Sequence, residues 1–240
     1  MVSSTSPNYL RGVALSADAP SDEFPFELEA VRQIETIEFA PVTVLVGDNG
    51  TGKSTIVEAL AIVAEFNAEG GGRNLRFATR STHSALHEHL VPRWKKRPAW
   101  GWFLRAETFY GMASHIARDN ELGEVFPDLH EESHGESFLD LAHERFQQPG
   151  FYVLDEPEAA LSMQGQMILA RLISESTTAG AQFVIATHSP FLMAYPQAAI
   201  YDLTATGIER TAFDDLPAVA LWRRFLDDPV VYYERLLGDD

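Results

Sequence analysis

The run Gly47-Asp48-Asn49-Gly50-Thr51-Gly52-Lys53-Ser54 satisfies every fixed position of the pattern G-x-x-x-x-G-K-[ST]. Glycines at these places let successive backbone N–H groups turn inward around a phosphate, and the helix that follows adds the positive end of its dipole. Lys53 offers a point charge to β- and γ-phosphates, Ser54 a hydroxyl to Mg²⁺, and Thr55 is placed to reach an α-phosphate. The chain has only three lysines, and one of them stands here.

A second group of reactive side chains lies a hundred residues on. Phe151-Tyr152-Val153-Leu154-Asp155-Glu156 is an apolar run that ends in two adjacent acids. Beside a phosphate loop, two acids would have two tasks, Asp155 to hold Mg²⁺ through water and Glu156 to polarise the attacking water, whereas by themselves they read equally as caps of the next helix. Thirty-two residues beyond Glu156, another apolar run ends in Ala186-Thr187-His188-Ser189-Pro190. From the end of a neighbouring strand, His188 can donate a hydrogen bond to a γ-phosphate and so respond to its presence.

These groups need elements that bring them to one edge. Val42–Val46 reads as a short β-branched strand, 47–52 as a loop and Ser54–Phe66 as a helix with Ile56, Leu60 and Val63 at helical spacing. Gly150–Leu154 and Ala181–Ala186 read as buried strands, with a long helix between them running through Ile173. Phe138–Phe146 reads as an amphipathic helix and Ala99–Arg105 as a strand. This alternation predicts an α/β domain with a mostly parallel sheet whose ligands sit at the carboxyl ends of its strands. Val13–Leu15, Phe24–Leu28 and Ile34–Phe39 read as short antiparallel strands at the N-terminus, and Asp214–Leu237 as helices broken at Pro217 and Pro229. With no repeat or linker, residues 1–240 are expected to form one domain with an elaborated middle at about 68–147.

Composition narrows the setting. At 45% hydrophobic residues, the 240-residue chain carries enough apolar side chains for a full core and is neither disordered nor fibrous. Eighteen basic against thirty-five acidic residues give a net charge of −17, which argues against blanket neutralisation of nucleic-acid phosphates. The absence of cysteine excludes disulfides, thiolate metal sites and a cysteine nucleophile, and a cytoplasmic location is the expectation. No run approaches the roughly 18 apolar residues of a membrane span, and Met1–Pro20 has no basic segment followed by an apolar one. Service to a membrane would therefore go through a partner.

Taken together, these residues resemble an ATP-binding cassette, and more narrowly the ATPase heads of chromosome-maintenance and double-strand-break-repair proteins. LDEPEAALS (Leu154–Ser162) resembles their joined Walker B and D-loop, and Ser133-His134-Gly135-Glu136-Ser137 stands where their signature motif would precede Walker B. With GRN (Gly72–Asn74), FLRAETF (Phe103–Phe109) and ATHSPFLMAYP, the chain closely resembles small bacterial ATPases of this kind. The resemblance implies a P-loop, cassette-type head with a mostly parallel central sheet, an N-terminal antiparallel β element and a helical signature subdomain. It implies ATP and Mg²⁺ as ligands, and two copies closing head to tail around two ATP molecules. Each site would then combine Lys53, Ser54, Asp155, Glu156 and His188 of one chain with the Ser133 hydroxyl and the Gly135 N–H of the other, and hydrolysis would reopen the dimer.

Departures from the pattern carry their own expectations. There is no glutamine between Ser54 and Glu132, so the family's Q-loop residue is missing, and Glu107 is the candidate to face metal or water in its place. His134 replaces a signature glycine, Glu136 the glutamine and Ser162 the D-loop aspartate, changes that favour the chromosome-maintenance branch over transporters. The 79 residues from Ser54 to Ser133 leave no room for that branch's long coiled-coil arm, so an unidentified protein partner, or DNA, would be met by the head itself. Phe24, Phe26 and Phe39 are candidates to stack on adenine, each more simply read as core. Pro92–Trp102 combines four cations with three tryptophans, a composition suited either to nucleic acid or to a solvated loop leading into a strand. His83, His87 and His89 could cluster on a metal but read more simply as a polar helix face. The expected function is Mg-dependent ATP hydrolysis driving ATP-gated dimerisation, possible settings being DNA repair or defence. The alternatives are a nucleotide-binding subunit of a transporter and a slowly hydrolysing ATP switch.

Overall fold

A computed structural model describes residues 8–73, 83–109 and 134–238. Its centre is a six-stranded sheet in the order β5-β6-β7-β3-β8-β9, formed by Gly101–Arg105 (β5), Phe151–Asp155 (β6), Gln182–Ala186 (β7), Val42–Gly47 (β3), Ala199–Thr204 (β8) and Gly207–Thr211 (β9). Every pairing is parallel except the terminal β8–β9 hairpin. β6 and β7 are buried at every residue, as their unbroken apolar runs require of strands covered on both faces. Alternate side chains of β3 feed two cores: Val44 and Val46 face Leu169, Ile173 and Phe138, whereas Leu45 faces Ile56, Leu60 and Leu10.

A smaller antiparallel sheet, β2-β1-β4, is built from Ile37–Glu38 (β2), Leu10–Leu15 (β1) and Leu90–Trp94 (β4). The expected N-terminal antiparallel element is therefore present, with two corrections. Phe24–Leu28 is a turn leading into the short helix Glu29–Arg32 (α1), as Pro25 within the run disfavours a paired strand. Conversely, Leu90–Trp94, at the start of the basic run, is an edge strand rather than a loop.

The helices that serve the site are Lys53–Val63 (α2), Leu86–His89 (α3), His134–Arg145 (α4) and Met163–Thr178 (α5), followed by Pro190–Met193 (α6). The tail forms Pro217–Asp227 (α7) and Pro229–Leu237 (α8). Its two prolines start the helices instead of breaking them, because a first-turn residue has no intrahelical N–H partner to lose. Asp228 caps α8 by accepting from Val231 N at 3.0 Å. Since β3, β5, β6 and β7 run in parallel, the phosphate loop, Arg105, Asp155 and His188 all emerge at the same edge.

Candidate nucleotide site

The loop after β3 depends on glycine where the chain doubles back. Gly47 has φ +141°, and a Cβ there would lie 2.2 Å from the Leu203 carbonyl oxygen of β8. Gly50, at φ +81°, has open space where its Cβ would be, so this side of the loop is free for a ligand. Lys53 is 3% exposed, and its ammonium donates to the carbonyls of Gly47 and Asp48, each at 2.9 Å. Burial lowers the Lys53 pKa, while Glu156, Asp155, Asp48 and Glu158 pull the other way.

At the end of β6 the two acids part. Asp155 is buried, and burial pushes its carboxyl up to about 6. Arg105 and a hydrogen bond with Ser54 oppose that rise, whereas Glu156 and Glu58 add to it. Its Oδ2 lies 3.3 Å from Arg105 Nε, and its buried Oδ1 has no hydrogen-bond partner. Glu156 turns the other way in a left-handed conformation, φ 46° and ψ 49°, unusual for a side chain with a Cβ. Its N–H is held by the Ala186 carbonyl at 2.9 Å, and its half-exposed carboxylate faces His188 Nε2 at 3.6 Å.

Besides a cavity of about 640 Å³ lined by Asp48, Thr51, His188 and Trp222, two more flank this edge. One, of about 550 Å³, is lined by Ser54, Arg105, Glu107, Asp155, Glu156 and Ala160. The other, of about 360 Å³, is lined by Phe24, Asn49, Gly50, Lys53, Thr55 and Glu156. Phe24 is 60% exposed and stands beside the loop, so of the three aromatic candidates it is not a core residue; Phe26 and Phe39 are buried. A divalent cation fits the cavity beside Asp155: the orphaned Asp155 Oδ1 and the Ser54 hydroxyl are hard oxygen donors, and Mg²⁺ takes one or two protein groups and completes its shell with phosphate and water.

Other expected site residues fall as follows. Glu107 lies at the rim of that cavity, with its side chain 79% exposed and Oε2 3.4 Å from Arg105 Nη2. Gly135 is in the first turn of α4, where an added Cβ would come 3.2 Å from the Ala160 carbonyl. It lines neither of these two cavities. Ser133 and Asn74 lie outside the described residues. In the basic run, Trp102 is buried with the Arg145 guanidinium 4.4 Å over its ring, and Trp94 packs edge-on against Phe151. Arg93 and Arg97 are paired with Glu38 and Glu65, each at 3.2 Å. These side chains are thus committed to the fold rather than spread as a stacking platform. His87 binds the Ser84 carbonyl at 2.9 Å and His89 packs on Phe26, and His83 stands before α3. Among the described residues no three His, Asp or Glu side chains form a metal cluster by themselves.

Two residues escaped the sequence reading. Arg105 is the last residue of β5, in register with Asp155, and this pairing alone reveals it. Glu158, in the turn Pro157–Ala160, accepts from Thr187 Oγ1 at 2.7 Å and from the His188 backbone N–H, so it grips the segment that carries His188.

Comparison with known proteins agrees with this geometry. The family model described as "AAA domain, putative AbiEii toxin, Type IV TA system" matches residues 42–99 and 100–194. The chain is 26% identical over 154 residues to the cytochrome c biogenesis ATP-binding export protein CcmA of Rhodopseudomonas palustris (strain HaA2), a match spanning 61% of this chain and 77% of that protein. In fold it is similar to a metal-chelate-type ABC transporter solved in an inward-facing conformation, with TM-score 0.52 and 16% identity over 91% of this chain and 89% of that one. The SMC head domain from Thermotoga maritima aligns over 84% of this chain and 98% of its own, at TM-score 0.47 and 18% identity. With the matched span running from the first residue of β3 to just past α6, well over half of its length, the chain belongs to this AAA-domain family, as an ATPase of the AAA/ABC type.

Proposed function

We propose that the protein hydrolyses ATP with Mg²⁺ and uses the γ-phosphate to open and close a head-to-tail dimer. The observation that carries this reading is the convergence of Lys53, Asp155, Glu156 and His188 on one sheet edge, with Asp155 Oδ1 buried and unpartnered beside Ser54. Lys53 gives up its two carbonyl contacts to meet the phosphates, and Ser54 and Asp155 hold the cation. When bound, Mg²⁺ neutralises charge on the β- and γ-phosphate oxygens. Glu156, half-exposed and beside His188, takes a proton from the attacking water, while His188 donates to the γ-phosphate. Phe24 is assigned to the adenine face. Ser133 and Gly135 of a second copy supply the γ-phosphate contacts. No helix among the described residues is long and apolar enough to cross a membrane, and we place the protein in the cytoplasm, acting on a protein partner. The family description, which names a toxin–antitoxin system, favours a defence setting over DNA repair.

A second reading, the nucleotide-binding subunit of an exporter, draws on the relative's name, CcmA. It predicts that the protein is retained on membranes only with a co-expressed permease.

The decisive experiment measures solution mass and phosphate release for wild type and Glu156→Gln, with and without Mg-ATP. The expected outcome is an ATP-dependent dimer of the variant with turnover reduced by about 10² to 10⁴. A variant that binds ATP yet remains monomeric overturns the trans role of Ser133 and Gly135. Unchanged turnover overturns the role of Glu156 and favours a switch that hydrolyses negligibly.

A further inference from the structure

The guanidinium of Arg105 sits among three carboxylates, one for each nitrogen. Nη1 is 2.9 Å from Glu58 Oε2, Nε is 3.3 Å from Asp155 Oδ2, and Nη2 is 3.4 Å from Glu107 Oε2. Its position is imposed by the backbone, since Arg105 and Asp155 are register partners on parallel strands. Glu58 is held on the same side because it follows Ser54 by one helical turn on α2. The side chain is 20% exposed and shares its cavity with Ser54 and Asp155.

We infer that Arg105 is an internal counter-ion of the metal subsite, which keeps divalent cations out until a nucleotide brings its own negative charge. The inference rests on the nucleotide reading of this site. Two cations close to one buried carboxylate repel, and a low-dielectric wall strengthens that repulsion. In the empty site the guanidinium is paired in charge with Asp155 Oδ2 at 3.3 Å, with no hydrogen bond from Nε, and Oδ1 faces the cavity without a partner. The triphosphate changes this balance by adding negative charge on the cavity side, so that metal and Arg105 are both compensated. Glu58, the nearest carboxylate to the guanidinium and only 15% exposed, is the group that retains it then. Arg105 thereby couples metal entry to nucleotide entry, and by linkage the coupling is reciprocal.

A purely structural role, stapling β5 to β6 and α2, would alter stability but not metal selectivity. The test is therefore binding of Mn²⁺, a spectroscopic substitute for Mg²⁺, followed by electron paramagnetic resonance of the full chain without nucleotide. Wild type is expected to bind weakly, Arg105→Gln at least about tenfold more tightly, and Arg105→Gln/Asp155→Asn weakly again. The nucleotide-induced gain in Mn²⁺ affinity should shrink by the same factor in Arg105→Gln. Affinities equal to wild type in a folded Arg105→Gln protein overturn the inference. Should that variant not fold, Arg105→Met, neutral and of similar length, takes its place and must bind Mn²⁺ more tightly than wild type for the inference to stand. Binding of a fluorescent ATP analogue to wild type separates the two levels: its absence defeats the nucleotide reading, whereas its presence with unchanged Mn²⁺ affinities defeats only the role of Arg105.

Discussion

Asp155 and Glu156 are neighbours in the chain, yet β6 hides one and presents the other, and the difference has an energetic cost. With its carboxyl raised to about 6 by burial, Asp155 is a strained anion at neutral pH. A raised acid binds its proton more tightly in the folded than in the unfolded state, so the penalty is fully present above about pH 6 and relieved as pH falls toward the unfolded value of 3.8. A shift of about two units corresponds to about 3 kcal/mol. Asp155→Asn is therefore expected to stabilise the nucleotide-free protein by up to about 3 kcal/mol near pH 8 and hardly at all near pH 4, read from urea midpoints at the two pH values. Equal effects at both would mean that the carboxylate is not held under strain. Lys53, Asp155, Glu156 and His188 were legible in the sequence because each stands in a contiguous motif at the end of an apolar run. Arg105 and Glu158 were not, since their meaning comes from contacts with residues 50 and 29 positions away, which no spacing rule foretells.

At the scale of elements, apolar runs identified β3, β6 and β7 from composition alone, but not their order. The insertion of β7 between β6 and β3, which carries His188 to Glu156, follows from parallel crossovers and the covering of both faces. β4 was hidden by Pro92 and by flanking charges, and the β8–β9 hairpin by its polar second strand. Beside the Tyr201 hydroxyl of β8, which binds the Glu38 N–H and carbonyl of β2 at 3.0 and 2.9 Å, a buried amide ties the two sheets together. Gln182 Oε1 accepts from Tyr9 N at 3.0 Å and Leu10 N at 2.9 Å, while its Nε2 donates to Leu10 O at 2.8 Å and Ala40 O at 3.2 Å. Such a residue reads in the sequence as an ordinary polar start of a strand. Replacing it with leucine would leave buried backbone donors and an acceptor unpaired, at about 1–3 kcal/mol for each group. Gln182→Leu is expected to lose about 3 kcal/mol or more of stability while the folded fraction keeps its nucleotide affinity, measured by denaturation and by titration with ATP analogue. A neutral substitution would show that β1 is held by its apolar contacts alone.

On the scale of the whole molecule, charge would govern how two copies meet in the proposed dimer. The chain carries −17, and its basic run does little to offset this at the surface, since Arg93 and Arg97 are paired with glutamates of the same chain. Two such heads would repel as they close, and a Mg-ATP on each would add further negative charge. Salt shortens the range of that repulsion, with a Debye length of about 30 Å at 0.01 M and about 10 Å at 0.1 M. A dimer that closes on phosphate contacts made at short range and partly buried should lose less to screening than it gains from reduced repulsion. The association constant of ATP-bound Glu156→Gln is therefore expected to rise as NaCl increases from about 20 to about 200 mM, measured by sedimentation equilibrium. A fall would mean that opposite charges on the two faces draw the copies together, and would locate the attraction in a local basic patch rather than in the shared nucleotides.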